Sequence, residues 1–346
     1  MTDKTSLQEQ AEYSFGVSTR KIGRLERWLG PEPYRVLKGL VTNPLSITGL
    51  VLIVFFVLMA VGAPVIAPPV NPNDPYQIPR DGFSAVPQPP GTEWRSRQPP
   101  LPFWWKTVTG KDQWIHILGT ASGQWDIYYG IVWGTRTAFR VGLIIIIATL
   151  ALGLLIGSVS AYYGGVVDNV IMRITDVFMT FPFLIAALTL STILTPVIGR
   201  SIVPAIIAII VFGWMGYARL IRGDILSVKE RDFVLAARAL GIRDGRILFR
   251  HIIPNAIFPT IVVASMDMGS IVLSFSALSF LGIGADLGYA DWGQLLSFAR
   301  NWITDLANYW YVVTYPGLAI FLYVLAWNLV GDAVRDLFDP RLRGQT

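Results

Sequence analysis

The sequence predicts an all-α integral membrane protein with six membrane-spanning helices. Three observations carry that expectation: the composition, a series of long apolar runs, and the placement of positive charge between them. Of 346 residues, 53% are hydrophobic and 15% charged, whereas an ordinary soluble domain is roughly 25% charged. The absence of cysteine excludes disulfides, thiol nucleophiles and thiolate metal sites. His116 and His251 lie far apart in sequence and leave little material for a histidine metal centre.

Residues 1–43 are polar and cation-rich and lack the apolar core and cleavage site of a signal peptide, so they read as a retained cytoplasmic tail. The run SITGLVLIVFFVLMAVGAPVIA makes residues 44–67 a first span, long enough at about 1.5 Å per residue to cross a hydrocarbon core of about 30 Å. Residues 68–135 form an insert unlike the rest. Eleven of the 22 prolines lie between Pro68 and Pro102, which predicts an extended, irregular chain poor in amide donors. Trp94, Trp104, Trp105, Trp114, Trp125 and Trp133 mark an aromatic patch there. Such rings either rest at the membrane surface or contact a partner or substrate. Residues 136–332 form the transmembrane core, with further spans at Ala138–Tyr162, Val170–Leu194 (Pro182 in its middle), Ile202–Ala218, Ala256–Gly284 and Trp310–Val330. Residues 333–346 are a C-terminal tail. Six crossings place both termini on one side.

The positive-inside rule sets the orientation. The tails and the 219–255 loop hold most cations, including Arg219, Arg222, Lys229, Arg231, Arg238, Arg243, Arg246 and Arg250. Cations of the insert lie in a long segment that counts for less. The termini and that loop are therefore expected in the cytoplasm, in a multi-pass protein of the cell membrane. Topology accounts for the net charge of +5, and nucleic acid is not an expected partner.

The 219–255 loop has too few apolar residues for a core of its own, so its elements must be short helices supported from outside. Ser227 and Glu230 fit a capping box, with Asp232 as a second start. Phe233 to Leu240 suits a short helix and Gly241 its left-handed cap. Asp244 can cap a second helix, Gly245–His251, ending before Pro254. Phe233, Ala237 and Gly241 recur every four residues, a face with one large anchor and two small residues. That pattern fits docking to another protein or packing on the chain's own bundle.

This segment resembles the cytoplasmic "EAA" loop of permease subunits of ABC importers. Ala236, Ala237, Gly241, Ile253 and Pro254 stand at that family's spacing, and Leu235 stands where glutamate is usual. Nearly the whole chain is similar to the second permease of dipeptide/oligopeptide-type importers. The similarity runs through Asn43-Pro44-Leu45; His116, Leu118, Gly119, Thr120 and Asp126; Gly134-Thr135-Arg136; Asp168, Arg173, Asp176, Phe181 and Pro182; Ala277 to Gly282; Trp292-Gly293; Pro316-Gly317; Asn328; Gly331-Asp332; Arg335-Asp336; and Asp339-Pro340-Arg341. The usual Gly-Arg-Asp reads Gln124-Trp125-Asp126, and Phe275 replaces a common glutamate.

The resemblance implies the type I importer permease fold. It implies a second, homologous permease forming a heterodimer, two cytoplasmic ABC ATPase subunits and an extracytoplasmic solute-binding protein. Docking would involve Phe233, Leu235, Ala236, Ala237, Leu240, Gly241, Arg250, His251 and Pro254. ATP and Mg would bind the ATPase subunits, with no cofactor in this chain. The solute would be a peptide, an oligosaccharide or a metal complex. Independently, the sequence lacks a Gly-rich run ending in Gly-Lys-Ser/Thr, which Gly110-Lys111-Asp112 does not supply. Within the spans, Arg173 and Asp176 are three apart and placed to pair, and Asp267 between Met266 and Met268 is a deep carboxylate, a candidate for the pathway or its gate. A secondary transporter acting without an ATPase would need ion-coupling groups, for which only Asp267 is placed, and inverted repeats are not evident. An intramembrane enzyme would need a nucleophile or paired acids at depth, and none appears.

Overall fold

A computed structural model of the protein describes residues 41–96 and 98–338. The tails expected over 1–43 and 333–346 thus lie largely outside the described residues, as do Arg341, Arg343 and the Asp339-Pro340-Arg341 motif. Among the described residues the regular structure is helical, with four isolated β-bridges, all involving the insert.

Helix α1 (Pro44–Ile66) opens on Asn43, whose side chain accepts the Leu45 amide at 3.0 Å, with Pro44 at the start. Helix α2 (Phe103–Thr109) lies in the insert. Helix α3 (Ile127–Tyr163) begins eleven residues before the expected span. Its first turns carry Tyr129, Val132 and Trp133, buried in the insert's core, which hydropathy alone does not mark as continuous with a span.

The third expected span is not one helix. Helices α4 (Gly165–Met179) and α5 (Phe183–Ile198) meet at 86°. Pro182 lacks an amide hydrogen and forces Phe181 away from helical geometry, so the break falls there. Helices α6 (Val203–Gly213) and α7 (Met215–Val228) make one span that outruns the expected Ala218 by ten residues. Counting α4 and α5 as one crossing gives six.

The packing of α3 on α6 and α7 supports that count. A Cβ built on Gly153 would lie 2.5 Å from the Cβ of Tyr217, and one on Gly157 2.3 Å from the Ala218 carbonyl oxygen. Gly213 in turn meets Thr149. Positions 149, 153 and 157 thus meet 213, 217 and 218 in the same order, so the two helices are parallel. The intervening α4 and α5 must return across the bundle. The close approach is the small-xxx-small geometry of membrane helices, which substitutes backbone contact for the hydrophobic effect lipid cannot supply.

Helix α8 (Asp232–Ala239) and helix α9 (Asp244–Ile247) follow, then a π-turn over Leu248–Ile252 and helix α10 (Ile253–Phe280). Helix α11 (Trp292–Ala299), a 3-10 stretch and helix α12 (Leu306–Phe338) complete the chain. Helix α12 packs along α1 and α10.

The insert departs from the expectation of rings lying at the membrane surface. Trp94, Trp105, Trp114 and Trp125 are buried, with Ala67, Ile78, Trp133, Leu295 and Tyr311, in a core seated on the ends of α1, α3, α11 and α12. Two burial-tolerant devices replace regular structure. Indole nitrogens of Trp105 and Trp133 donate to the Gln113 and Ala67 carbonyls at 3.1 and 2.8 Å. His116 lies fully buried between two carboxylates, with Nδ1 2.7 Å from Asp126 and Nε2 3.2 Å from Asp81. Asp126 also caps α3 by accepting the Tyr129 amide, and Asp81 accepts the amides of Arg95 and Ser96. Gln124, standing where the resembled family has glycine, takes a left-handed φ of 65°. Its amide group donates to the Val86 carbonyl and accepts from Gln88, which holds the unusual backbone in place.

Two outcomes follow from this packing. Gly157→Val is expected to lower the thermal unfolding temperature in detergent, with overpacking costing about 1–3 kcal/mol, whereas Gly62→Ala, which meets nothing within 4 Å, leaves it unchanged. Burial pushes the Asp81 carboxyl up, but its amide donors and His116 outweigh burial, so it titrates below its ordinary 3.8. A depressed carboxyl stabilises the fold above its unfolded value and loses that contribution as pH falls. Tryptophan fluorescence of the insert is therefore expected to report an acid transition below about pH 4 that Asp81→Asn flattens.

Candidate functional site

The loop between α7 and α10 is held by its own small core. Val234 and Ala237 of α8 are buried with Ile221, Ile225, Ile247, Leu248 and Ile252. Helix α8 has Arg231 at its N-cap without a side-chain hydrogen bond there, while Ser227 lies inside α7, so the expected capping box is not used. Asp232 instead sits in the first turn, where a negative charge favours the helix dipole. Gly241 ends the helix as expected, at φ 72°. Its amide donates to Arg238 and that of Ile242 to Ala237, the paired bonds that close a helix on a left-handed residue.

The second short helix does not end before Pro254. The Ile253 amide donates to Leu248, five residues back, and this wider turn carries the chain past the proline ring without a break. The result is a single helical element, Asp244–Phe280, of 37 residues. It is pinned to neighbouring helices at three levels. Tyr162 of α3 donates to Asp244 at 2.6 Å, Thr260 donates to Asp224 of α7 at 3.2 Å, and Tyr217 of α7 donates to Asp267 at 2.7 Å.

The expected loop residues separate into two faces. Ala237 is buried, because Val234 and Ala237 form the apolar stripe of α8 and turn it inward, so it offers no surface to a partner. Phe233, Leu235 and Leu240 are 40%, 48% and 80% exposed, Phe249 is 61% exposed, and Ala236 and Gly241 lie open beside them. Arg250 and Pro254 are exposed and His251 is half-buried. Four large apolar side chains, Phe233, Leu235, Leu240 and Phe249, are thus exposed together on one short segment.

Arg173 does not pair with Asp176. Asp176 binds Arg219 of α7, and about two turns earlier in α4 Asp168 receives Arg222 through Nε at 2.6 Å and Nη2 at 2.5 Å. Lys229 donates to the Ala161 carbonyl at 3.1 Å. Three loop cations thus fasten α7 to α3 and α4.

Asp267 lies near the middle of α10 and lines a cavity of about 530 Å³ between α3, α5, α6, α7 and α10. Thr149, Phe212, Tyr217, Ser270 and Ser274 contribute to its wall. Ser270 and Ser274 follow Asp267 at three and seven residues and so share its face, a stripe legible in sequence. Tyr217 and Thr149, on other helices, carry no such signal.

Residues 137–344 match the family described as binding-protein-dependent transport system inner membrane component, and residues 34–100 match the N-terminal transmembrane domain of oligopeptide transport permease C. The chain belongs to this family of importer permeases. It is 32% identical over 323 residues, 92% of its length and 93% of the relative's, to the dipeptide transport system permease protein DppC of Alkalihalophilus pseudofirmus. It is 37% identical to the glutathione transport system permease protein GsiD of Pectobacterium atrosepticum, over 66% of this chain and 73% of that one. It is 38% identical to the nickel transport system permease protein NikC of Escherichia coli, over 66% and 79%. Among solved structures, the MetNI methionine ABC transporter in an inward-facing conformation matches 62% of this chain and 98% of its own, with TM-score 0.50 and 17% identity, a likeness of fold. The protein is a permease subunit of an ABC importer and a multi-pass membrane protein.

Proposed function

We propose that this chain carries a peptide-like solute through the membrane in a heterodimer with a second permease, driven by two ATPase subunits that bind ATP and Mg and supplied by an extracytoplasmic binding protein. The loop end faces the cytoplasm in this reading, together with both termini, and the insert faces outward. The dipeptide permease that matches over 92% of the chain supports a peptide-like solute over the nickel relative, which aligns over 66%.

The observation that carries the reading is the continuity of Asp244–Phe280. An ATPase closing on Phe233, Leu235, Leu240 and Phe249 would push one end of a stiff helix whose middle lines the cavity. Asp267 lies 23 residues from Asp244, roughly 35 Å along such a helix. A rigid element that shifts as a body transmits movement over that distance without local unfolding. Leu235 in place of glutamate makes the contact apolar, so docking rests on shape and burial.

The test is co-expression with the cognate subunits. Leu235→Glu with Leu240→Glu changes two exposed side chains and is expected to leave membrane insertion intact while abolishing co-purification of the ATPase and ATP-dependent uptake. Normal co-purification and uptake would contradict the docking surface. Uptake by this chain alone in energised vesicles would contradict the importer reading itself.

A further inference from the structure

The cavity at Asp267 has a one-sided hydrogen-bonding character. Tyr217 spends its hydroxyl proton on Asp267 Oδ2 at 2.7 Å. Ser270 donates to the Asp267 carbonyl at 2.9 Å, Ser274 to the Ser270 carbonyl at 2.8 Å, and Thr149 to the Ile145 carbonyl at 2.8 Å. Each hydroxyl in the wall therefore has its proton committed within the protein and presents lone pairs to the cavity. Asp267 is the one charged residue in the wall among the described residues, and Tyr217 occupies a single one of its oxygens. The remainder is apolar, with Ile209, Phe212 and Ile271.

From this wall we infer that the cavity is a subsite for a primary ammonium group, the amino terminus of the solute in transit. A wall of acceptors around one carboxylate favours a ligand rich in N–H donors and carrying positive charge, and disfavours a carboxylate or phosphate. A metal ion would need several charged oxygen ligands, whereas this wall supplies one carboxylate and neutral hydroxyls. At about 530 Å³ the space falls within the ordinary range of small-molecule pockets, about 300–1,000 Å³. The mid-helix position of Asp267 puts this charge where an unpaired carboxylate is costly, and an incoming ammonium would offset that cost as it passes. The inference rests on the importer reading for its direction of transport and on the cavity alone for its chemistry.

The natural chain has no cysteine, so Ser270→Cys in the full-length chain in lipid nanodiscs gives a single reporter one turn from Asp267. Its reaction with a trimethylammonium-ethyl thiosulfonate is expected to be about tenfold or more faster than with the sulfonato-ethyl reagent, each normalised to a free thiol, from the Coulomb attraction of a nearby carboxylate. Asp267→Asn, which keeps the acceptor for Tyr217, should abolish the preference, and Asp267→Glu should restore it. Millimolar alanyl-alanine should slow the labelling while N-acetyl-alanyl-alanine does not. Equal rates with both reagents, no labelling by either, or equal effects of the two dipeptides would overturn the subsite. None of these outcomes depends on ATP, so they are separable from failure of the importer reading, which the co-purification test detects.

Discussion

A chain crossing hydrocarbon has to satisfy its backbone amides and carbonyls within itself, and that constraint decides what the Asp244–Phe280 segment can be. A helix that stopped before Pro254 would leave a turn of unpaired groups at the membrane boundary. The π-turn at Leu248–Ile252 avoids this by shifting the hydrogen-bond register one residue ahead of the proline. The same continuity joins a short surface helix to the wall of a cavity lined by the middle of the long helix. Its three tethers, through Asp244, Thr260 and Asp267, bind one rod to α3 and α7 at successive depths. The close packing of α3 against α7 at Gly153 and Gly157 makes those two a common support.

The insert solves the opposite problem. Its prolines deny it regular ladders, so its order comes from large side chains that bury area without needing a sheet or long helix. Trp94 packs against the His116 ring at 4.4 Å, and Trp105 against Trp114 at 4.6 Å. Inside this aromatic core the Asp81–His116–Asp126 set links three distant backbone segments through one imidazole. Because Asp126 also caps α3, the insert and the second span form one body.

Much of this was legible in the sequence where a single segment determines the outcome. The six apolar runs, the left-handed Gly241 and the entry at Asn43-Pro44 each depend on local chemistry. The readings that shifted depend on distant partners. Pro182 was visible, but the 86° bend it permits is set by how α4 and α5 pack on other helices. Asp176 had a plausible partner three residues away and took Arg219 from another helix instead. The tryptophans read as membrane-surface rings or as partner or substrate contacts, because nothing in their spacing reveals that they meet one another. Asp267 stood out as a deep carboxylate, yet Tyr217, fifty residues earlier, had no signal tying it to that group.

One stiff helix linking the loop surface to the cavity is tested most directly by a distance along that helix. Spin labels at Arg246→Cys and Ser270→Cys are separated by 24 residues, about 36 Å in an unbroken helix. The account predicts the same narrow distance in the nucleotide-free and ATP-trapped complex, while a label pair between Ser270→Cys and Val61→Cys of α1 changes between the two states. A shortened or broadened Arg246–Ser270 distance in either state would make the π-turn a hinge and contradict transmission through a rigid rod.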